Sequence, residues 1–407
     1  MAAVVVLTDL LAFPATAHRR PPNILLLVID SLDGRLLDPS ASVYAEVRLP
    51  HLRNFASSAV NFVRAYSPAP QCVPARAAML TGRVASTLGV FSNLDGFAGS
   101  NSSLDARCVR LHGVARCEAL AGVQRAAGAF TLFDALRARG YRVRKFGKVD
   151  TGGECSEDVA CDNDWNGFHG RNPKEHGCTL CRAAAINRTQ TPLPQPGAVA
   201  AAEEQPDFVR DAATAERCAL ALRAAASDGG AADGPDVAAE DSALQPPGAA
   251  ARGRSRPTLV YCDLDYPHAP FYTPPPAAAA AAVRAATALG PPLPALESQH
   301  PYDAAMSVAR GLRRPPPTDD ARRAYRSAYL AKAAQADAFA GTVLNAASTS
   351  TLVAVVSDHG EMRLEHGTWQ KGSLHEGSAR VALELGDDLS RPAPDQRMHA
   401  LQCPHSP

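Results

Sequence analysis

The 407 residues carry 41 Lys plus Arg against 41 Asp plus Glu. A balanced charge creates no global field for nucleic acid or an anionic membrane, so any anion site must be local. The length suits two or three average domains or one large α/β domain with insertions, and either can bury a sizeable core.

In chain order, residues 1–17 combine apolar runs at 2–7 and 10–13, broken by Asp9, with the small-x-small sequence Ala15-Thr16-Ala17. Residues 1–20 therefore read as a secretory signal peptide, although a basic leading region is missing. No later apolar run is long enough to span a bilayer. Residues 23–30, NILLLVID, form a continuous apolar run closed by a carboxylate, the pattern of a strand buried on both faces of a parallel sheet. Ligands of such sheets bind beyond the carboxyl ends of the strands, where Asp30 falls.

Residues 61–66 read as a second strand leading into 71–82, QCVPARAAMLTG. There Pro74 suits a first helical turn, Arg76 follows Cys72 by one turn, and Gly82 stops the helix. Cys72 thus sits where unpaired N–H groups and the helix dipole favour an anion, although a cysteine at a helix start is ordinarily structural. Residues 132–139 read as a helix ended by Gly140, feeding a strand at 141–146 that Lys148 follows. Residues 258–264 predict another buried strand, followed by the turn 265–270 that carries His268. Residues 319–344 have helical periodicity through Tyr325, Ala328, Tyr329, Lys332, Ala336 and Phe339. They lead to 351–358, a second apolar run that ends in Asp, with His359 next. The alternation argues for a doubly wound α/β domain over 21–385. Segments near 191–257 and 274–294, rich in Ala, Gly, Pro and Asp, read as low-complexity, poorly ordered insertions, and 386–407 as an irregular tail.

Ten cysteines favour an oxidising compartment. Cys108 with Cys117, and Cys155 and Cys161 with Cys178 and Cys181, cluster as loop disulfides would. The last four with His169 and His176 offer zinc as the alternative, at a spacing that matches no standard finger. The sequons at Asn101 and Asn187 agree with secretion.

Asp30 and Asp358 each close a buried strand, and His359 follows the second. Two carboxylates with an oxygen nucleophile suit a hard divalent cation, whereas a single Asp at a strand end is more often a turn former. Lys148 follows a strand and a glycine, and His268 occupies a proline-flanked turn suited to proton transfer near neutral pH.

The run Cys72-x-Pro74-x-Arg76 followed by Leu80-Thr81-Gly82 resembles the signature of the sulfatase family. The resemblance implies an alkaline-phosphatase-like α/β fold, a mixed and mostly parallel sheet with helices on both faces. It also implies a smaller C-terminal subdomain, and because the chain stops soon after Leu383 that subdomain is expected to be missing. By the same resemblance a formylglycine-generating enzyme oxidises Cys72 to formylglycine (3-oxoalanine), an aldehyde that hydrates. Calcium (Ca2+) is expected on Asp30, Cys72, Asp358 and His359, and sulfate contacts from Lys148, from His268 in its Pro-His-x-Pro segment, and from Lys371, which opens a K-x-x-x-x-E-x-x-x-x-V segment. Ala75, Ser31, His359 and Asp150 stand where many members carry Ser, Asp, Asn and His.

The implied reaction has one hydroxyl of the hydrate, polarised by the metal and Arg76, attack sulfur while His268 helps the alcohol leave. The second hydroxyl then expels sulfate. The implied substrate is a sulfated carbohydrate, a glycosaminoglycan-type uronate 2-sulfate being the specific candidate and an aryl sulfate a surrogate, in a lysosomal or secreted enzyme. Two rivals remain open: a phosphatase or phosphodiesterase of the same superfamily, and a non-catalytic relative that binds glycans.

Overall fold

The computed structural model describes residues 21–93, 95, 97, 114–150, 206–227, 256–269, 294–309 and 318–386. Among them the strands are β1 (Ile24–Ile29), β2 (Val60–Asn61), β3 (Ala65–Tyr66), β4 (Arg142–Gly147), β5 (Thr258–Leu264), β6 (Leu352–Val356), β7 (Arg380–Val381) and β8 (Leu383–Gly386). The helices are α1 (Pro50–Ser58), α2 (Cys72–Thr81), α3 (Val114–Ala126), α4 (Leu132–Ala138), α5 (Pro206–Ser227), α6 (Pro301–Ala309), α7 (Asp319–Leu344) and the single turn α8 (Glu376–Ala379).

Six strands form one sheet in the order β2-β8-β6-β1-β5-β4, and β3 pairs with β7 in a small second sheet. The pairs β1–β5, β1–β6 and β4–β5 are parallel, while β8 runs antiparallel to both β6 and β2. All six residues of β1 are buried, as its unbroken apolar run requires. Alternate residues serve opposite faces: Leu25, Leu27 and Ile29 pack with α1, α5 and α7, whereas Ile24, Leu26 and Val28 pack with α4 and Leu80. The sheet is thus mixed, mostly parallel and covered on both sides. Its parallel strands β4, β5, β1 and β6 aim their carboxyl ends at one edge.

The segment 191–257, expected to be poorly ordered, contains a core helix instead. Helix α5 buries Ala215, Cys218, Ala219, Ala221 and Leu222 against the sheet, and a disulfide joins Cys218 to Cys262 of β5. A cross-link closing a loop of this size contributes about 2–4 kcal/mol. The strand expected at 61–66 is two short pieces, β2 and β3, in different sheets. Cys117 is also disulfide-bonded. Cys108, Cys155, Cys161, His169, His176, Cys178, Cys181, Asn101, Asn187, the segment 1–20 and the tail after 386 lie outside the described residues. Among those described, no helix is long and apolar enough to cross a membrane.

Within β8, Leu383 and Leu385 pack on the α4 side, so Glu384 faces the other side with its register partner Val355. It is 1 % exposed, and neither carboxylate oxygen has a hydrogen-bond partner among the described residues. Burial pushes this carboxyl from its ordinary 4.5 up to about 8. A raised acid pKa penalises the folded state once the unfolded carboxyl ionises. Stability contributed here is therefore full at low pH, falls as pH rises above about 4.5, and levels off above about 8. The isosteric, non-titrating Glu384→Gln should raise the thermal midpoint at pH 7.5 but not at pH 4.5, the neutral-pH gain being of order 3 kcal/mol.

Candidate active site

Four strand ends and one helix start converge on a single buried cluster. Asp30 follows β1, Asp358 and His359 follow β6, Lys148 follows β4, and Asp263 lies in the last turn of pleat of β5. Cys72 is the first residue of α2 and Gly82 ends the helix in the left-handed conformation (φ 67°). Both features are those expected from Pro74 and Gly82. The Cys72 thiol is buried, 2 % exposed, and is free.

Three side chains converge on its sulfur: the Lys371 and Lys148 ammonium groups aim Nζ donors at it from 2.7 Å and 3.5 Å, and His359 Nε2 lies 3.3 Å away. Asp30, Cys72, Asp358 and His359 each offer one ligand atom, and these lie within 4.8 Å of one another. Every one of the predicted residues Asp30, Cys72, Arg76, Lys148, His268, Asp358, His359 and Lys371 therefore belongs to one contiguous assembly.

The cluster fits a divalent cation. His359 Nδ1 lies 3.0 Å from the Gly360 carbonyl, which only accepts, so the ring proton of a neutral imidazole sits there. Its Nε2 lone pair then faces Asp30 Oδ1 and Asp358 Oδ2, both at 3.6 Å. Lone pairs converging in this way repel unless a cation lies among them. Ser31, in place of a second Asp, adopts a left-handed conformation (φ 66°). Its hydroxyl donates to Asp30 Oδ1 at 2.8 Å and its N–H to Asp358 Oδ1 at 3.1 Å. It orients both acids without adding a charge. The Cys72 position fits an oxygen-bearing group in the same sense: two ammonium groups point at a sulfur, a weak acceptor, where an oxygen would accept better.

Arg76 does not reach the sulfur, contrary to the direct polarising role that the signature suggested. Its fully buried guanidinium donates from Nε to Asp358 Oδ2 (3.1 Å) and from Nη2 to Asp30 Oδ2 (3.0 Å). Nη1 donates to the Lys148 carbonyl (2.9 Å), to the Tyr261 hydroxyl (3.2 Å) and to Asp263, which also accepts from Nη2. Against the cost of burial, Asp263, Asp358, Tyr261 and Asp30 keep it charged. Burial also pulls the Asp263 carboxyl well above the usual carboxylate range, with Arg76 opposing it.

Lys148 Nζ donates to Asp30 Oδ2 at 2.5 Å. Against burial, Lys148, His268, Lys371 and Arg76 hold Asp30 well below the usual range. Gly147 precedes Lys148 at φ 78°, and a Cβ there would overlap the Asp263 carbonyl, so glycine is required for the turn that delivers the lysine.

His268 also differs from its expected role. Its Nδ1 donates to the Ala269 carbonyl (2.6 Å) and its Nε2 accepts from Lys371 Nζ (2.7 Å). Burial and the Lys371 ammonium push its pKa down to about 4, so it is a neutral acceptor near neutral pH rather than an acid. Asp263, Asp265 and Tyr261 are the site residues that the sequence reading passed over. An acid inside the apolar run 258–264 was the available signal for Asp263.

The family model described as Sulfatase matches residues 22–383. The chain belongs to the sulfatase family. It is 23 % identical over 406 residues to arylsulfatase K of Rattus norvegicus, covering 94 % of this chain and 59 % of that protein. To arylsulfatase K of Homo sapiens it is 24 % identical over 382 residues, covering 89 % and 58 %. The chain thus spans about three-fifths of the length of the curated sulfatases it matches. Among solved structures, the phosphonate monoester hydrolase SpPMH from Silicibacter pomeroyi shares the fold, with a TM-score of 0.55 and 20 % identity, over 91 % of this chain and 69 % of that one.

Two outcomes test the charge arrangement of this sulfatase site. Arg76→Met leaves Asp30 and Asp358 buried without their shared counter-charge and should cost about 3–5 kcal/mol in denaturant unfolding. Lys371→Met removes the cation beside His268, so the imidazole pKa should rise from about 4 toward its ordinary 6.5, read by NMR titration of the ring.

Proposed function

We propose that this chain is a sulfuric ester hydrolase whose reaction centre is position 72. The observation that carries the reading is the convergence of Lys371, Lys148 and His359 on the Cys72 sulfur, beside two buried carboxylates. Asp30, Asp358 and His359, with the group at position 72, would hold Ca2+. Bound there, the ion supplies Lewis-acid polarisation, and formylglycine at position 72 supplies a hydrated aldehyde whose hydroxyl is the nucleophile toward sulfur.

The chain's own residues supply binding and proton placement. The Lys148 and Lys371 ammonium groups, both within 3.5 Å of the Cys72 sulfur, donate to the sulfate oxygens and oppose charge that builds on the transferring group. His268 holds its proton at Nδ1 and receives Lys371 at Nε2. With no proton on His268 Nε2, the proton for the departing oxygen would come from Lys371 Nζ, which His268 orients. Arg76 touches none of the reacting atoms and acts by fixing the three acids around it. Burial of Asp30, Cys72, Arg76, Lys148, Asp358 and His359 limits bulk water and strengthens these interactions, while His268 and Lys371 stay partly accessible.

The substrate class is a sulfated carbohydrate, with a small aryl sulfate as surrogate, in line with the arylsulfatase K proteins that the chain resembles; a uronate 2-sulfate is the specific candidate to assay first. The Cys218–Cys262 disulfide supports residence in the secretory pathway, lysosomal or secreted, where the formylglycine-generating enzyme would act on Cys72.

Initial rates on an aryl sulfate and the matching aryl phosphate separate this reading from a phosphatase. Sulfate turnover should dominate, vanish in Cys72→Ala, fall about 10²–10³-fold in kcat in Lys371→Met, and disappear after chelation until Ca2+ is restored. Phosphate turnover exceeding sulfate turnover, or activity that survives Cys72→Ala, would contradict it.

A further inference from the structure

Helix α5 makes three polar contacts with the turn that carries His268. Asp207, Arg210 and Asp211 recur at i, i+3 and i+4 and so share one helix face. Asp211, 1 % exposed, accepts the Tyr266 N–H at 2.7 Å and a second N–H from Asp265. Arg210 Nη2 pairs with Asp265 Oδ2 at 2.8 Å, and the other oxygen of that carboxylate faces Lys148 Nζ at 3.7 Å. Asp207 pairs at 3.2 Å with Lys332 Nζ. That ammonium also donates to the His268 carbonyl at 2.6 Å and lies 4.0 Å from the centre of the Tyr266 ring. The backbone on both sides of Pro267 is therefore gripped by one helix and its neighbour α7. The Cys218–Cys262 disulfide ties the same helix to the strand from which the turn emerges.

We infer that α5 is the element that sets His268 against Lys371, with Asp211 and Arg210 as positioning residues. The inference rests on the reading of His268 as a site residue. Asp211 fixes the turn through the N–H groups of Tyr266 and Asp265, and Arg210 fixes it through the Asp265 carboxylate. Asp265 in turn shares its charge between Arg210 and Lys148, so the helix also bears on the second ammonium of the site. A helix that merely fills the core would need apolar contacts alone. This one places two polar side chains, Asp211 and Arg210, on a turn of four residues, 265–268, and bears on it again through the Asp207–Lys332 pair.

A kinetic double-mutant cycle on the full chain distinguishes positioning from bulk stability. Asp211→Ala should lower kcat on an aryl sulfate by about 10–100-fold, as small misplacements of reacting groups do, with KM little changed. Combined with His268→Ala it should cost less than about 3-fold more, because the residue it positions is gone. Asp211→Asn, which keeps an acceptor oxygen, should recover most of the loss. Equal losses in both backgrounds overturn the inference. Arg210→Gln, at a more accessible side chain, carries the same cycle should Asp211→Ala fail to fold. A wild-type chain without turnover would overturn the hydrolase reading instead. Positioning is then read without substrate from histidine-selective ¹⁵N NMR, with His268 assigned by its alanine variant: its ring signals move in Asp211→Ala and Arg210→Gln if α5 sets the ring, and stay in place if it does not.

Discussion

Arg76 and the carboxylates of Asp30, Asp263 and Asp358 are the interaction on which the rest of the structure depends. A guanidinium with no exposure to solvent is tolerable only where its planar set of donors is filled, and here three strand ends fill it. The Lys148 carbonyl takes a further donor, so the exits of β1, β4, β5 and β6 are all referred to one side chain of α2. Because Arg76 lies one helical turn beyond Cys72, fixing the guanidinium fixes the helix start against the edge of the sheet. Cys72 is placed among the acids by this constraint.

The same arrangement explains how a chain of zero net charge builds an anion site. Asp30 and Asp358, both held below the usual carboxylate range, create a locally negative edge that suits a metal ion. Lys148, paired with Asp30 of that edge, and Lys371 both point at the Cys72 sulfur, so under the proposed reaction a sulfate would meet two ammonium groups there. His268 stays neutral because it is removed from solvent and has Lys371 as its neighbour, and its role passes from acid to acceptor. Strain is concentrated in the loop that returns Lys371: Arg363, Leu364, His366 and Gln370 all have positive φ. Glu361 anchors this loop by accepting from the Tyr325 hydroxyl and the Gln370 N–H. Departures of this kind from preferred backbone persist where surrounding contacts over-determine them, commonly at functional sites.

Residues that end an apolar strand or belong to the Cys72 signature were legible in the sequence. Asp30, Lys148, Asp358 and His359 sit at strand exits, where parallel sheets place their ligands. Asp263 was not, because a single acid inside 258–264 does not disturb an otherwise continuous apolar run. Helix α5 was hidden by its composition: Phe208, Ala212, Ala215, Cys218, Ala219 and Leu222 keep helical spacing, yet alanine contributes too little apolar contrast to stand out from the surrounding Ala-rich sequence. Strand β8 was hidden by Glu384, a buried acid of a residue type that sequence patterns assign to the surface. The chemical roles of Arg76 and His268 depend on which atoms their donors and acceptors meet. Spacing along the chain carries no information about that.

Mass spectrometry of the Cys72 peptide, from protein produced in a secretory host, tests the central claim most directly. The account predicts the mass of the aldehyde or its hydrate at position 72, and an intact thiol throughout a correctly folded, disulfide-bonded preparation would contradict it.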